Sequence, residues 1–233
     1  MRVKPLSCVR PTPEHLDEAL TSAPETREDL DAAKAQGRYA IDAARALYLV
    51  ELRDQAERSV TGVVCCCPVE ALDDGTLTCS SSLRPTDETL FRGQVGVSAT
   101  RMGQLGAQDE AVTLVHPASF ALDVIVCAAK TGTALCATER DGVRLTVWRV
   151  GRAEAVEALE ATFEALPGAQ VRDQASHLAA EAVEECARRQ RAVRPVSTGR
   201  EPYERFVAFL VPESQLWGPA PTLPRGLFMH LVA

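Results

Sequence analysis

Gln170-Val171-Arg172-Asp173-Gln174-Ala175-Ser176-His177-Leu178 is the stretch on which the reading of this chain turns. Residues 170–172 read as a short strand that hands over to a long helix. Ala175, Leu178, Ala179, Ala182, Val183 and Cys186 recur along one face of that helix, and Glu184–Arg188 and Glu185–Arg189 are spaced as favourable i,i+4 pairs on the other. Backbone N–H groups at such a helix start point outward and attract anions, so a strand-to-helix turn is a ready phosphate site. This turn nevertheless holds no glycine, no lysine and, after Arg172, no arginine. Asp173 has the side chain of an N-cap, able to bond the backbone N–H of Ala175 or Ser176.

Upstream, Ala153, Val156, Leu159, Phe163 and Leu166 repeat at helical spacing and stop at Pro167-Gly168. Before them, Asp141-Gly142 joins residues 134–138 to 143–150 as a hairpin. Residues 46–52 and 59–67, rich in Val, Leu, Tyr and Cys, read as strands, as do 111–116 and 122–128. Residues 87–105 read as helical or irregular and 79–89 as an exposed loop. Near the start, Thr12-Pro13-Glu14 has the form of a helix start followed by the stripe Leu16, Ala19 and Leu20. A second short helix spans about 28–36 and ends at Gly37. Downstream, 191–201 reads as loop, and 206–211 and 227–232 as closing strands separated by the proline-rich 217–225. Strands with hairpin turns followed by helix–strand–helix–strand predict an α+β fold, a mixed sheet with flanking helices, in one domain spanning 1–233.

The 233 residues carry 46% hydrophobic and 24% charged side chains and a net charge of −7. That composition is globular, and its acidity argues against a nucleic-acid partner, which needs concentrated positive charge. The opening Met1-Arg2-Val3-Lys4-Pro5-Leu6 has no apolar core of signal-peptide length, and the most apolar stretches fall short of a membrane span. A cytoplasmic location without a membrane partner is the expectation, and the eight cysteines are expected as thiols. Cys65-Cys66-Cys67 does not make a metal site, because adjacent strand residues point to opposite faces. The four histidines show no ligand spacing, and the chain contains no phosphate-loop, Gly-x-Gly-x-x-Gly or Gly-x-Ser-x-Gly motif.

Several segments, in order, resemble domain-of-unknown-function family 1015, a group of bacterial and archaeal proteins. Residues 3–14 (VKPLSCVRPTPE) are similar to its opening, and Ser22-Ala23-Pro24 to the start of its Ser-Pro-Pro-Tyr-Asp segment. Residues 46–64, ending in Thr61-Gly62-Val63-Val64, resemble its strand pair, and residues 75–88 match the spacing of its Gly…His-Glu…Thr-Arg…Glu loop. Residues 143–166 resemble its strand–helix unit, 173–189 its Asp-Gly-His-His-Arg helix start, and 203–216 (YERFVAFLVPESQL) a later strand. Longer members continue beyond the position of Leu216. The resemblance implies a ParB/sulfiredoxin-like element in the C-terminal half, and through it nucleotide-dependent enzymes that include a free-serine kinase. It therefore implies a nucleotide or phosphate pocket beside the last helix start.

The departures from the family pattern bear on function. Glu25 and Thr26 replace Tyr-Asp, and Ser80 and Ser81 replace His-Glu, while Arg84 and Glu88 stand where the family has Arg and Glu. In the last motif only Asp173 is kept: Gln174 replaces Gly, Ala175 and Ser176 replace the two His, and His177 stands at the Arg position. These exchanges remove the close-approach glycine, the bidentate guanidinium and the tunable bases together. They favour a non-catalytic ligand-binding or regulatory protein, with Arg84, Arg172, Ser176 and His177 as ligand or phosphate contacts. One alternative is a serine-like small-molecule phosphotransferase using ATP or ADP, with Glu25, Glu88 and Asp173 as candidate bases. Another is an interaction subunit that pairs with a full-length family member. No metal is expected in any of these readings.

Overall fold

The computed structural model describes residues 1–73, 77–79, 83, 85–193 and 204–231. In chain order the elements are β1 (Leu6–Pro11), α1 (Leu16–Thr21), α2 (Arg27–Ala35), β2 (Tyr39–Asp54), β3 (Ser59–Pro68), α3 (Glu70–Asp73), β4 (Leu77–Cys79), α4 (Glu88–Leu105), β5 (Ala107–Gln108), β6 (Val112–His116), α5 (Phe120–Ala129), β7 (Cys136–Arg140), β8 (Val143–Val150), α6 (Ala153–Glu164), β9 (Ala169–Val171), α7 (Gln174–Val193), β10 (Arg205–Pro212) and β11 (His230–Leu231). The fold is α+β. Eight strands form one mixed sheet in the order β4-β9-β6-β10-β3-β2-β8-β7, and a ninth, β1, pairs with the first half of β2. The pairs β10–β6 and β4–β9 are parallel and the remaining ladders of this sheet antiparallel. β5 and β11 make a separate two-stranded ribbon.

The middle of the sheet is covered on both faces. Leu47, Leu49, Val63, Cys65, Cys67, Phe206, Ala208 and Leu210 pack toward α4, α5, α6 and α7, against Met102, Leu122, Leu159, Phe163 and Ala182. Their strand neighbours Tyr48, Val50, Val64, Cys66, Val207, Phe209 and Val211 face the other way, onto Leu6, Leu16, Ala220, Leu223, Leu227 and Phe228. Two-sided burial explains why these strands are continuous apolar runs rather than alternating ones. It also separates the cysteine triplet. Cys65 and Cys67 share the helix-side face with their sulfurs 4.0 Å apart, while Cys66 faces the opposite core near His230. Burial pushes the Cys66 thiol up to about 12 and that of Cys8 to about 11.

Gly62 in β3 lies where no side chain fits. A Cβ there would sit 2.7 Å from the Leu210 carbonyl oxygen and 2.8 Å from Cζ of the Phe209 ring. At the β7–β8 turn Asp141 has φ 50° and Gly142 φ 74°, the double positive-φ geometry of a two-residue hairpin. Thr26 and Asp29 form a reciprocal capping box on α2, and Asp87 caps α4 by accepting from Leu90 N at 2.9 Å. Gly106, at φ 65°, ends α4 in the left-handed region.

Two local expectations are corrected. Residues 122–128, expected as a strand, lie within helix α5. Ser119 caps it at Leu122 N, and Leu122, Ile125, Val126 and Ala129 form a helical stripe against the sheet. A short apolar run has no periodicity to distinguish the two states, so the cap and the packing decide. Thr12 does not cap a helix: its hydroxyl donates to Gly37 O at 3.0 Å, and Pro13–His15 is a 3-10 turn leading into α1. On α7 the expected Glu185–Arg189 pair is present, and Glu185 also accepts from Arg188 at 2.9 Å. The loop expected over 191–201 lies mostly outside the described residues.

Two outcomes follow. Gly62→Ala lowers the urea-unfolding free energy by about 3 kcal/mol, the upper part of the range for overpacking a filled core, and Phe209→Leu in the same chain recovers part of that loss. The second concerns pH. Burial holds His116 and His230 below their ordinary range, against a raising hydrogen bond each makes to a backbone carbonyl. The unfolded chain therefore binds these protons first, at about pH 6.5. Stability is full above that pH and declines as pH falls below it. Melting temperature is expected to drop between about pH 7.5 and 5.5, with a shallower decline in His116→Gln.

Candidate functional site

The strand-to-helix turn is present as β9, Arg172-Asp173 and α7. Asp173 is the helix cap: its Oδ1 accepts from Ser176 N at 2.7 Å, and its carbonyl accepts from His177 N at 3.0 Å. Ser176 is 1% exposed, and its Oγ accepts from Thr113 N at 3.2 Å. β9 meets β6 only at Val115, so beyond that point Ser176 serves as the partner that a further strand residue would have been. The place an anion would take at this helix end is thus held by the protein's own carboxylate, and the nearby hydroxyl is bonded to the sheet.

The other expected residues go different ways. His177 packs its ring on Phe91, centroids 5.0 Å apart, with Glu181 Oε1 3.6 Å from its Nε2. Arg172 Nη1 binds Glu213 at 2.7 Å and its Nε donates to Gln170 at 3.1 Å. Glu88 starts α4 at the same end as His177, since α4 and α7 run side by side through Phe91–His177 and Arg92–Glu181, but it is exposed and lies 3.8 Å from Arg92. Glu25 binds Arg225 at 2.7 Å and lines a groove with Arg101, about 15 Å along α4 from Phe91 at the rise of an α-helix. Glu25 therefore lies apart from the end of the molecule that holds Glu88 and His177. Arg84, with Ser80 and Ser81, lies outside the described residues.

Among the clefts formed by described residues are three that Asp173, Ser176 and His177 do not line. One of about 360 Å³ runs between α4 and α7 and is bordered by alternating charges, including Arg92, Glu181, Glu185 and Arg188. A wide one of about 570 Å³ lies against the outer side of α4 beside Gly93, Gly96, Arg101 and Arg189. The third, of about 530 Å³, is predominantly apolar and sits on the sheet face opposite α7. Leu52, Val60 and Leu145, from three adjacent strands, form its floor; Leu20 of α1 closes one side; the segment from Leu216 through Pro224 is its roof. Sequence reasoning saw the Asp141-Gly142 turn and the proline-rich 217–225 as separate punctuation. Their meeting across the sheet depends on pairings that span most of the chain.

A buried charge cluster lies on the helix side. Glu51, 7% exposed, accepts from Lys130 Nζ and from Arg53 at 3.1 Å, and Thr61 Oγ1 lies 3.2 Å from Lys130 Nζ. Burial alone would raise the Glu51 carboxyl, but these cations hold it below its ordinary range. The cluster pins the end of α5 to β2 and β3. Among the described residues no group of three or more His, Cys, Asp or Glu side chains is placed to hold a metal ion, and no helix is long and apolar enough to cross a membrane.

Comparison with known proteins yields no match among curated proteins and none among solved structures. A family model described as "Protein of unknown function (DUF1015)" matches residues 7–217. That match covers nearly all of the sheet and every helix described above, and the chain belongs to the DUF1015 family.

Proposed function

We propose that this chain is a non-catalytic, ligand-binding member of its family. The observation that carries the reading is the Asp173 carboxylate capping α7, with Ser176 Oγ bonded to Thr113 N. A phosphate at this helix start would have to displace a carboxylate that already satisfies Ser176 N, and would meet its negative charge. Arg172, the cation nearest in sequence, is turned onto Glu213. Catalysis also needs a base within reach of the reacting atoms, and Glu25 and Asp173 belong to different parts of the molecule. ATP- or ADP-dependent transfer to a serine-like acceptor is the weaker reading for these reasons.

A protein-interaction role has one observation in its favour. α5 exposes an apolar strip, Phe120 at 84% and Val124 at 51%, that no described residue covers. Self-association measured by light scattering would then fall in Phe120→Ser.

The non-catalytic reading is tested by turnover and by melting. The purified protein is expected to leave ATP, ADP and serine unchanged, and inorganic phosphate to leave the melting temperature where it was. Asp173→Ala should lower that temperature by about 2–4 °C, the effect of losing roughly 1 kcal/mol of capping in a chain of this size. Turnover of nucleotide with serine that disappears in Asp173→Ala would refute the proposal.

A further inference from the structure

We infer that the apolar cleft beneath the proline-rich segment binds an uncharged small molecule with a flat aromatic or heteroaromatic body. This rests on the binding reading above and adds to it the site and the ligand class.

Four features lead there. The first is size: about 530 Å³ lies in the range of small-molecule sites, and the floor is aliphatic. The second is preorganisation. The roof is fastened on both sides, by Thr61 N donating to Gln215 Oε1 at 2.7 Å and by Thr113 Oγ1 donating to the Pro221 carbonyl at 2.9 Å. Ala220 and Leu223 anchor it in the core, and Pro219, Pro221 and Pro224 have fixed φ. A cleft held open in this way loses little freedom when it fills.

The third feature is charge. Arg58 Nη2 lies 2.6 Å from Asp54, and Arg140 Nε lies 3.4 Å from Asp141 while Nη1 donates to Leu20 O at 3.0 Å. Two guanidinium groups and two carboxylates at the rim thus pair among themselves. The rim therefore presents no unmatched charge that would select an ionic ligand. The fourth is Trp217, which lines the cleft while 47% exposed and has the Arg58 guanidinium 4.4 Å over its ring. That cation covers one face of the indole and leaves a flat aromatic surface as part of the cleft wall. Flat rings stack on such a wall and on proline.

Titration with Nile red, an uncharged fused-ring dye, tests the inference, with anilinonaphthalene sulfonate as its anionic counterpart. Nile red emission should saturate at one site per chain, with tighter binding than the sulfonate. Thr222→Trp and Val143→Trp, independent substitutions at exposed positions beside the cleft, should each weaken Nile red by roughly tenfold or more. Phe120→Ser should leave it unchanged. Saturable binding that survives both filling variants, binding abolished by Phe120→Ser, tighter binding of the sulfonate, or no saturable binding at all would each overturn the inference. None of those results touches the absence of turnover, and turnover would overturn the non-catalytic reading without emptying the cleft.

Discussion

The close approach of β3 and β10 is the constraint on which the rest of the molecule depends. Phe209 lies across Gly62, and both strands are buried on both faces, so neither has a polar side to give to solvent. Helices must cover one face and β1, α1 and the segment after β10 the other. Polar chemistry is displaced to the sheet margins and to the ends of strands. A charge cluster that does intrude on the helix side, Glu51 with Lys130 and Arg53, is tolerated because each carboxylate oxygen has a cation and the cluster ties α5 down.

Much of this was legible in the sequence because it is local. Asp173 reads as a cap from residue type and position alone. Asp141-Gly142 reads as a hairpin turn because both residues tolerate positive φ. The opposed faces of Cys65, Cys66 and Cys67 follow from strand periodicity. What was hidden is nonlocal or ambiguous in period. Residues 122–128 are apolar apart from Asp123, and so short a run fits helix and strand alike. β1 was not recognised as a strand because its partner is the first half of a long β2 whose remainder pairs elsewhere.

The candidate site divides along the same line. The sequence identified the turn before α7 and noted the missing glycine and arginine. It did not show that Ser176 replaces a strand partner for β6, or that Arg172 turns onto Glu213, because both bonds cross between distant segments. The apolar cleft was invisible for a plainer reason: its walls come from α1, the β2–β3 and β7–β8 hairpins and the segment after β10, which are far apart in the sequence.

The cysteine triplet has a use of its own. Cys65 and Cys67 lie in one core and Cys66 in the other, all with their thiols shut away, whereas Cys127 stands exposed on α5. A thiol reagent that reaches the triplet has therefore entered the protein from one identifiable side. Alkylation at 65 or 67 records lifting of the helical layer, alkylation at 66 records departure of the layer around Leu6 and Phe228, and Cys127 supplies the time base against which both are read.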